Sequence, residues 1–265
     1  MRKLHFTAVS VCIVCAAAVC TPRQDVTVTR YEGADYIFAG TLIKLSASTM
    51  PGYVSAEEAS IVRVDRVLKA SDGHEHFEGK EITVLLNEDQ KTNLKEGFSG
   101  IFITRTWLFG NSLAVLAKAI DQDKSQIEKV QKDIKEYEAD QEYRMLESRV
   151  MSADLIVYGK VEKIEDVKAT RQPVETEHDP QYRIAIVIPE EVLKRSASVD
   201  TVKFYFASSD DIQWYKAPKF VAGSEGIFLL RRAPDVSKDQ GAYTLLHPLD
   251  FQEGSKLDDI KRMIK

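Results

Sequence analysis

The stretch "GADYIFAGTLIK", residues 33–44, is nearly repeated as "SADLIVYGKVEK", residues 152–163. Each contains Ala-Asp, then four apolar or aromatic residues, then Gly, and the two stretches lie 119 positions apart. Short runs of aliphatic and aromatic residues are typical of β-strands. A repeat at this separation indicates two copies of one folding unit.

Four more pairs of similar stretches occur in the same order along the two copies. They are residues 59–71 with 182–196, 80–86 with 200–206, 100–105 with 226–231, and 113–117 with 243–247. Most are rich in Ile, Val, Phe or Tyr and are bounded by Gly, Asp, Asn or Ser, which predicts five strands per copy. The separation drifts between 119 and 130 positions, as expected when insertions fall in surface loops.

Each copy also ends in a helical pattern, with apolar residues spaced by three and four positions. These residues are Ile127, Val130 and Ile134 in the first copy and Leu257, Ile260 and Ile264 in the second. Residues 121–151 are predicted to form one long amphipathic helix, and Ser255 with Asp258 resembles a capping box for the last helix. The predicted fold is mainly β with α: two tandem five-stranded OB-like barrels, each followed by a helix.

The closest match between the copies, "GIFITR" with "GIFLLR", predicts the centres of the barrels. Its apolar residues are Ile101, Phe102, Ile227 and Phe228. Because side chains alternate along a strand, we expect alternate members to be buried.

The N-terminus predicts export. Arg2 and Lys3 precede an apolar run, residues 6–19, that is too short to span a bilayer but suits the core of a secretory signal. We therefore predict a signal peptide over residues 1–20. The predicted domains that follow are 21–135 for the first barrel with its helix, 136–151 for a linking helix, and 152–265 for the second barrel with its helix.

All three cysteines, Cys12, Cys15 and Cys20, lie in the predicted signal, so no disulfide framework is available to the rest of the chain. The small residues before Cys20 fit a lipoprotein cleavage site and predict lipidation of Cys20. Ordinary cleavage after Ala18 or after Cys20 is the open alternative and gives a soluble exported protein.

Charge disfavours nucleic acid as a partner. Without the predicted signal the chain has 34 basic and 41 acidic residues, a net charge of about −7. A membrane contact is expected only through a lipid anchor at Cys20. We find no phosphate loop and no dinucleotide fingerprint, and we predict no cofactor.

Two histidines are the candidate metal ligands. His74 and His76 alternate in a polar loop and would point the same way on an extended segment, as a metal site requires. No third ligand is evident, and a solvated loop is the alternative. A catalytic serine is not indicated, because Ser224 precedes a strand and not the helix of a nucleophile elbow.

Three aromatic residues of the second copy, Tyr205, Trp214 and Tyr215, are the candidate ligand or partner contacts. Alternation assigns their neighbours Phe204 and Phe206 to the core. The longest loops of an OB barrel also contribute to its usual binding face. These loops are residues 46–58, 166–181 and 208–218, with tolerated surface insertions as the alternative.

The order of motifs in each copy resembles the netrin-like version of the OB-fold. After the Ala-Asp strand and a long loop come Val-Leu-Lys and then Gly-apolar-Phe-apolar-apolar-Arg. These motifs occupy residues 67–69 and 100–105 in the first copy and 192–194 and 226–231 in the second. The resemblance covers residues 33–134 and 152–264. That superfamily includes the tissue inhibitors of metalloproteinases, complement C-terminal modules and exported bacterial proteins.

The resemblance implies one activity that the sequence only partly supports. The metalloproteinase inhibitors bind zinc through a mature N-terminal Cys and depend on disulfides. Residues 20–22 of this chain are similar to the N-terminus of those inhibitors, but the disulfide partners are missing. We therefore predict an exported, non-catalytic module that binds a protein partner at the cell envelope or outside the cell. A metalloprotease inhibitor and an enzyme with dispersed catalytic carboxylates are the alternatives.

Overall fold

The first copy of the repeat folds as a closed five-stranded barrel. The computed structural model describes residues 30–167, 178–194, 200–232 and 242–265, and Cys20 with the predicted signal lies outside these ranges. The strands of this barrel are β1 (Tyr36–Leu45), β2 (Ala59–Lys69), β3 (Glu81–Leu85), β4 (Ser99–Phe109) and β5 (Leu113–Asp121). Their order around the ring is β1-β2-β3-β5-β4, with β3 and β5 parallel and the other neighbours antiparallel.

The second copy repeats this ring. Its strands are β6 (Leu155–Asp166), β7 (Tyr182–Lys194), β8 (Val202–Ala207), β9 (Glu225–Arg232), β10 (Tyr243–Thr244) and β11 (Phe251–Gln252). The order is β6-β7-β8-β10-β9, again with one parallel pair, β8 with β10, and β11 extends the pairing along β9. Each ring therefore has the strand order of an OB-like barrel, and the predicted fold class is confirmed.

The fifth strand of the second copy is split in two. Gln252 of β11 pairs with Ile227 just as Asp121 of β5 pairs with Ile101. Between β10 and β11 the chain forms the 3-10 turn Pro248–Asp250. The strand predicted over residues 243–247 is present but shorter, Tyr243–Thr244. Pro248, which offers no N–H to continue the ladder, begins the turn that separates it from β11.

Three helices accompany the barrels in the described residues: α1 (Glu88–Asn93), α2 (Ile127–Ser152) and α3 (Leu257–Ile264). Helix α2 begins six residues later than predicted, because β5 continues to residue 121 and a 3-10 turn follows. The predicted capping box of α3 is not formed. Lys256 occupies the N-cap position without a side-chain hydrogen bond, because the 3-10 turn Gly254–Lys256 precedes the helix.

The chain divides into two compact units, residues 1–137 and 138–265. Within the first, Val130 and Ile134 of α2 cover the outer face of β1 and β4. Within the second, Leu146 and Val150 of α2 cover the outer face of β6 and β9 together with Ile260 of α3. One helix therefore contributes apolar residues to both units.

Because helices cover these outer faces, the expectation that only alternate residues of the fourth strands are buried is wrong. Phe102 lies inside the first barrel, stacked on Phe38 with ring centroids 5.1 Å apart. Ile101, on the opposite face of β4, is equally buried against α2. Phe228 and Ile227 repeat this arrangement in the second barrel.

The glycine of the repeated stretch is required because the second strand of each barrel approaches it closely, with the carbonyl of Arg63 beside Gly40 and that of Ile188 beside Gly159. Gly40 of β1 lies opposite Gly100 of β4, and Gly159 of β6 lies opposite Gly226 of β9. A Cβ atom at any of these four positions would come within 2.9 Å of a backbone oxygen. Only glycine fits such a contact without displacing a neighbouring strand.

The irregularities of the strands are repeated as well. Register shifts in the β1–β2 ladder follow residues 37, 39 and 42, and those in the β6–β7 ladder follow residues 156, 158 and 161. Bulges bend a strand and increase its twist. The first two strands of each barrel therefore bend at matching positions, although the loops between them differ.

The aspartate of the repeated stretch bonds to the fourth strand just beyond its pairing with the first strand. The carboxylate of Asp35 accepts the backbone N–H of Thr106, and the carboxylate of Asp154 accepts that of Arg232. Each bond gives a partner to a backbone donor for which the first strand has no further residue. The sequence pattern Ala-Asp thus has a structural purpose in both copies.

An arginine five positions before each of these aspartates forms a second repeated contact. Arg30 pairs with Asp121 at 2.8 Å, and Arg149 pairs through two nitrogens with both oxygens of Asp250 at 2.5 Å. Each pair ties the helical segment before the first strand to the region of the fifth strand. The sequence comparison missed this match because the two aspartates are 129 positions apart and the arginines 119.

Candidate functional site

The segment that contains the two candidate metal ligands is not extended. Residues Glu75–Phe77 form a 3-10 helix, so the alternation that would place both imidazoles on one face is absent, and that premise was wrong. The ring of His74 instead lies edge-on to Phe109, with centroids 4.6 Å apart, and His76 is exposed. Among the described residues, no group of three or more His, Cys, Asp or Glu could hold a metal ion. The metal site stays a prediction.

The three candidate aromatic residues of the second barrel occupy different surroundings. Tyr205 is half-buried on β8, and its ring meets that of Tyr182 edge to face at 6.2 Å. The indole N–H of Trp214 donates to the carbonyl of His178 at 2.7 Å, which gives Trp214 a structural task. Tyr215 is exposed. In the described part of the chain no ring contact joins Tyr205 to Trp214, so a shared binding role stays a prediction.

The loop that carries Trp214 is held by a lysine. The ammonium group of Lys219 donates to the carbonyls of Ala207, Ser209 and Trp214 at 2.6 to 3.2 Å. Burial lowers the pKa of Lys219, with the charge of Asp210 opposing the shift. These bonds fix the loop, because a cation bonded to several carbonyls is costly to release.

The first barrel carries a groove that we call the first-barrel groove. It is lined by loop residues 49–53 and by residues 108–112 of the β4–β5 hairpin, and its cavity volume is about 670 Å³. This volume falls within the usual range of ligand pockets. The predicted binding loop 46–58 therefore forms one wall of a groove, and the hairpin forms the other.

The first-barrel groove is lined in part by apolar residues. Met50 and Leu108 pack on a small buried cluster that includes Val54. Tyr53, in the loop wall, is 78% exposed. Phe109 of the hairpin is 55% exposed, but neighbouring residues of a strand point to opposite faces, and its ring packs on those of His74, His76 and Phe77 and not on this cluster. Large apolar side chains that stay exposed around a concavity are typical of an interaction site.

Hydroxyl groups hold the loop wall in place. Thr83, on the outer face of β3, is fully buried beneath the loop, and its hydroxyl bonds to both the N–H and the hydroxyl of Thr49 at 2.9 and 2.8 Å. The hydroxyl of Thr49 also bonds to that of Ser112 in the hairpin at 2.8 Å. The two walls are therefore joined directly.

The sequence predicts the loop but not the hairpin that lies beside it. Tyr53 and Leu108 are 55 positions apart, and only the ring of strands brings their segments together. The stretch "TWLFGN", residues 106–111, did offer a signal. It places three bulky apolar residues immediately before a turn, more than the tip of a hairpin needs for packing.

A polar cluster beside β1 is the nearest approach to a catalytic arrangement that we find in the described residues. Ser99 bonds to Thr41, and Thr41 bonds to Asp65 at 2.7 Å, while Lys124 and Arg63 contact the same carboxylate. Burial alone would raise the pKa of Asp65, but hydrogen bonds from Lys124, Thr41 and Arg63 outweigh it and lower the pKa. A carboxylate with a lowered pKa is a weak general base. The cluster is best explained as a link between strands.

No helix in the described ranges has the length and apolar character needed to cross a membrane. No model of a known protein family matches the chain, and a comparison with curated proteins gives no significant match.

Proposed function

We propose that the protein is an exported, non-catalytic binding module that recognises a protein partner at the cell envelope or outside the cell, and that the first-barrel groove contacts this partner. The observation that carries the proposal is the exposed ring of Tyr53 in a groove that is also lined by the apolar residues Met50 and Leu108. Aromatic residues that project beside a pocket supply much of the binding energy at protein interfaces.

The rigidity of the groove supports the same proposal. Because Thr83 and Ser112 both bond to Thr49, the loop wall is held in place before a partner arrives. A preorganised surface loses less conformational entropy on binding than a mobile one.

The strand order of both rings also supports the netrin-like assignment, which we retain as a proposal.

The two alternatives draw less support from the described residues. None of the ten residues that line the groove is a carboxylate, so the groove does not supply the pair of acids that an enzyme with dispersed carboxylates requires. A metalloprotease inhibitor would act through residues near Cys20, outside the described ranges.

Site-specific crosslinking tests the proposal. A photoreactive phenylalanine analogue replaces Tyr53 in the full-length protein, and a matched variant carries it in place of Tyr143, whose ring is 52% exposed on α2. In the native host we expect one discrete protein adduct at position 53 and none at position 143. The purified partner should then bind the Tyr53→Ala variant at least about tenfold more weakly. Equal adduct patterns at both positions would refute the proposal.

The intact mass of the mature protein separates the functional alternatives. An acylated Cys20 gives a membrane-tethered binding module and removes the free amine that an inhibitor of the metalloproteinase type needs. An N-terminus at Val19 or Thr21 rules out the lipid anchor. A free amine on an unlipidated Cys20 keeps the inhibitor alternative.

A further inference from the structure

A histidine caps the turn that joins the last two strands of the second barrel. The turn is Pro248–Asp250, between β10 and β11, and the Nδ1 atom of His247 accepts the backbone N–H of Leu249 at 3.1 Å. An imidazole nitrogen that accepts a hydrogen bond carries no proton, so this bond requires the neutral ring with its proton on Nε2. Protonation of Nδ1 turns the acceptor into a donor, and the N–H of Leu249 then loses its partner.

The charges around His247 oppose its protonation. Arg149 of α2 and Arg231 of β9 act on the imidazole as like charges, and Asp250 of the turn acts as an opposite charge. The carboxylate of Asp250 is already engaged, because each of its oxygens bonds to a nitrogen of Arg149 at 2.5 Å. Burial, and then the charge of Arg149, lower the pKa of His247. The imidazole therefore takes up a proton more readily when the turn is open than when it is closed.

The same turn keeps β11 in place over the core of the second barrel. The backbone N–H of His247 donates to the carboxylate of Asp250 at 3.2 Å, which closes the cap from the other side. Directly after the turn, Phe251 of β11 pairs with Phe228 of β9. The ring of Phe251 lies against those of Phe220 and Phe228, with centroids 5.2 Å apart in both contacts. Release of the turn therefore loosens a strand that covers aromatic core residues.

The first barrel has no counterpart of this histidine. Its fifth strand, β5, runs unbroken over Leu113–Asp121, and these nine residues include no histidine. The strand therefore has no side chain of the type that changes charge near neutral pH. The matching ion pair, Arg30 with Asp121, is present in the first barrel, so the histidine is the feature that distinguishes the second.

From this capping bond and the two arginines that face it, we propose that His247 is an acid-sensitive latch, whose protonation releases the turn Pro248–Asp250 and opens the second barrel along β9 while the first barrel stays closed. The latch is a conformational device of the second barrel. It does not depend on what the first-barrel groove binds.

Hydrogen–deuterium exchange of the purified protein tests the latch. Exchange is read by mass spectrometry between about pH 7.5 and 5.5 and corrected for the intrinsic rate at each pH, a range in which ordinary carboxylates stay ionised. Opening that is coupled to one proton becomes up to about tenfold more frequent for each pH unit below about 6.5, until the pH reaches the lowered pKa of His247. We expect this loss of protection in the segment 242–252 and none in the matching segment 113–121. An equal loss in both segments, or no loss in either, would overturn the inference.

Two variants separate His247 from the other histidine of the second unit that the structure describes. In His247→Asn the side-chain carbonyl can cap the same N–H and does not titrate, so the segment 242–252 should stay protected over the whole range. The matched control is His178→Asn, because the imidazole of His178 lies 3.0 Å from Asp211 in the same unit. In that variant the loss of protection should persist.

An unchanged response in His247→Asn, or its disappearance in His178→Asn, would refute the latch. The comparison of the two segments within the parent protein requires no variant. It therefore decides the question even if His247→Asn proves unstable.

Discussion

Replacing Arg149 with methionine is expected to destabilise the second unit far more than replacing Arg30 destabilises the first. The two arginines occupy matching positions, and each pairs with an aspartate near the fifth strand. Their surroundings differ. The side chain of Asp250 is 3% exposed, whereas that of Asp121 is 18% exposed and its arginine is more open to solvent as well.

The expected magnitudes follow from burial. Without Arg149, the carboxylate of Asp250 stays buried. Its remaining hydrogen-bond donor among the described contacts is the backbone N–H of His247, at 3.2 Å. Breaking such a buried pair costs about 3 to 5 kcal/mol. Methionine keeps most of the apolar stem, so the loss reflects the missing charge. Arg30→Met should cost about 1 kcal/mol or less, because water can reach its aspartate.

The chain provides a separate reporter for each unit, because its two tryptophans are Trp107 in the first and Trp214 in the second. Each arginine variant is made in a background in which the tryptophan of the other unit is phenylalanine. Urea unfolding followed by tryptophan fluorescence then gives the free energy for one unit at a time. Each variant is compared with its own background, since Trp214→Phe removes one hydrogen bond.

Adding Asp250→Asn to Arg149→Met should recover part of the lost stability, because it removes the unpaired charge. Equal costs for Arg30→Met and Arg149→Met, or a cost below about 1 kcal/mol for Arg149→Met, would refute the burial argument.

Three further predictions concern the barrels. Phe102→Ala and Phe228→Ala should each cost about 3 to 5 kcal/mol in urea unfolding, because both rings are fully buried inside their barrels; unchanged midpoints would contradict the packing described. Gly100→Ala should cost about 1 to 3 kcal/mol, since its Cβ would lie 2.5 Å from a backbone oxygen, while the control Gly110→Ala, whose Cβ meets nothing, should be nearly neutral. Burial lowers the pKa of His247, and the nearby charge of Arg149 lowers it further. The contribution of the neutral imidazole to stability is therefore present above a pH of about 6.5 and is lost as the pH falls through the lowered pKa. Unfolding of the second unit measured between about pH 7 and 5 should show this loss, and His247→Asn should flatten it; a parent and variant with the same pH dependence would argue against it.

The number of strands in each barrel could be predicted because the apolar pattern occurs twice, so each copy supports the interpretation of the other. The bulges and the ion pairs could not be predicted from the sequence. They depend on how strands twist past one another, which the spacing of apolar residues does not encode. The split of the fifth strand at Pro248 was readable in principle, since a proline next to a predicted strand argues for its end. The strand at residues 243–247 was matched to residues 113–117 by hydrophobicity alone, without regard to this proline.

The candidate site was less predictable for a different reason. A binding loop can be recognised by its length and position, as residues 46–58 were. The other wall of the groove, residues 108–112, becomes visible only when the hairpin is folded beside that loop. For Trp214 the sequence suggests a ligand contact, because an aromatic residue in a polar loop is often exposed for binding. In the structure its indole N–H bonds to the carbonyl of His178 in the same chain.

The short closing strand of the second barrel affects how that barrel resists self-association. Strand β5 forms eight residue pairs with β4, whereas β10, counted over residues 200–232 and 242–265, forms two with β9 and two with β8. If β10 detaches, the ring becomes an open sheet with unpaired N–H and C=O groups along two neighbouring strands. Such edges are templates for strands of other molecules. We expect aggregation under mildly denaturing conditions to begin at this seam, and the first barrel to stay closed under the same conditions.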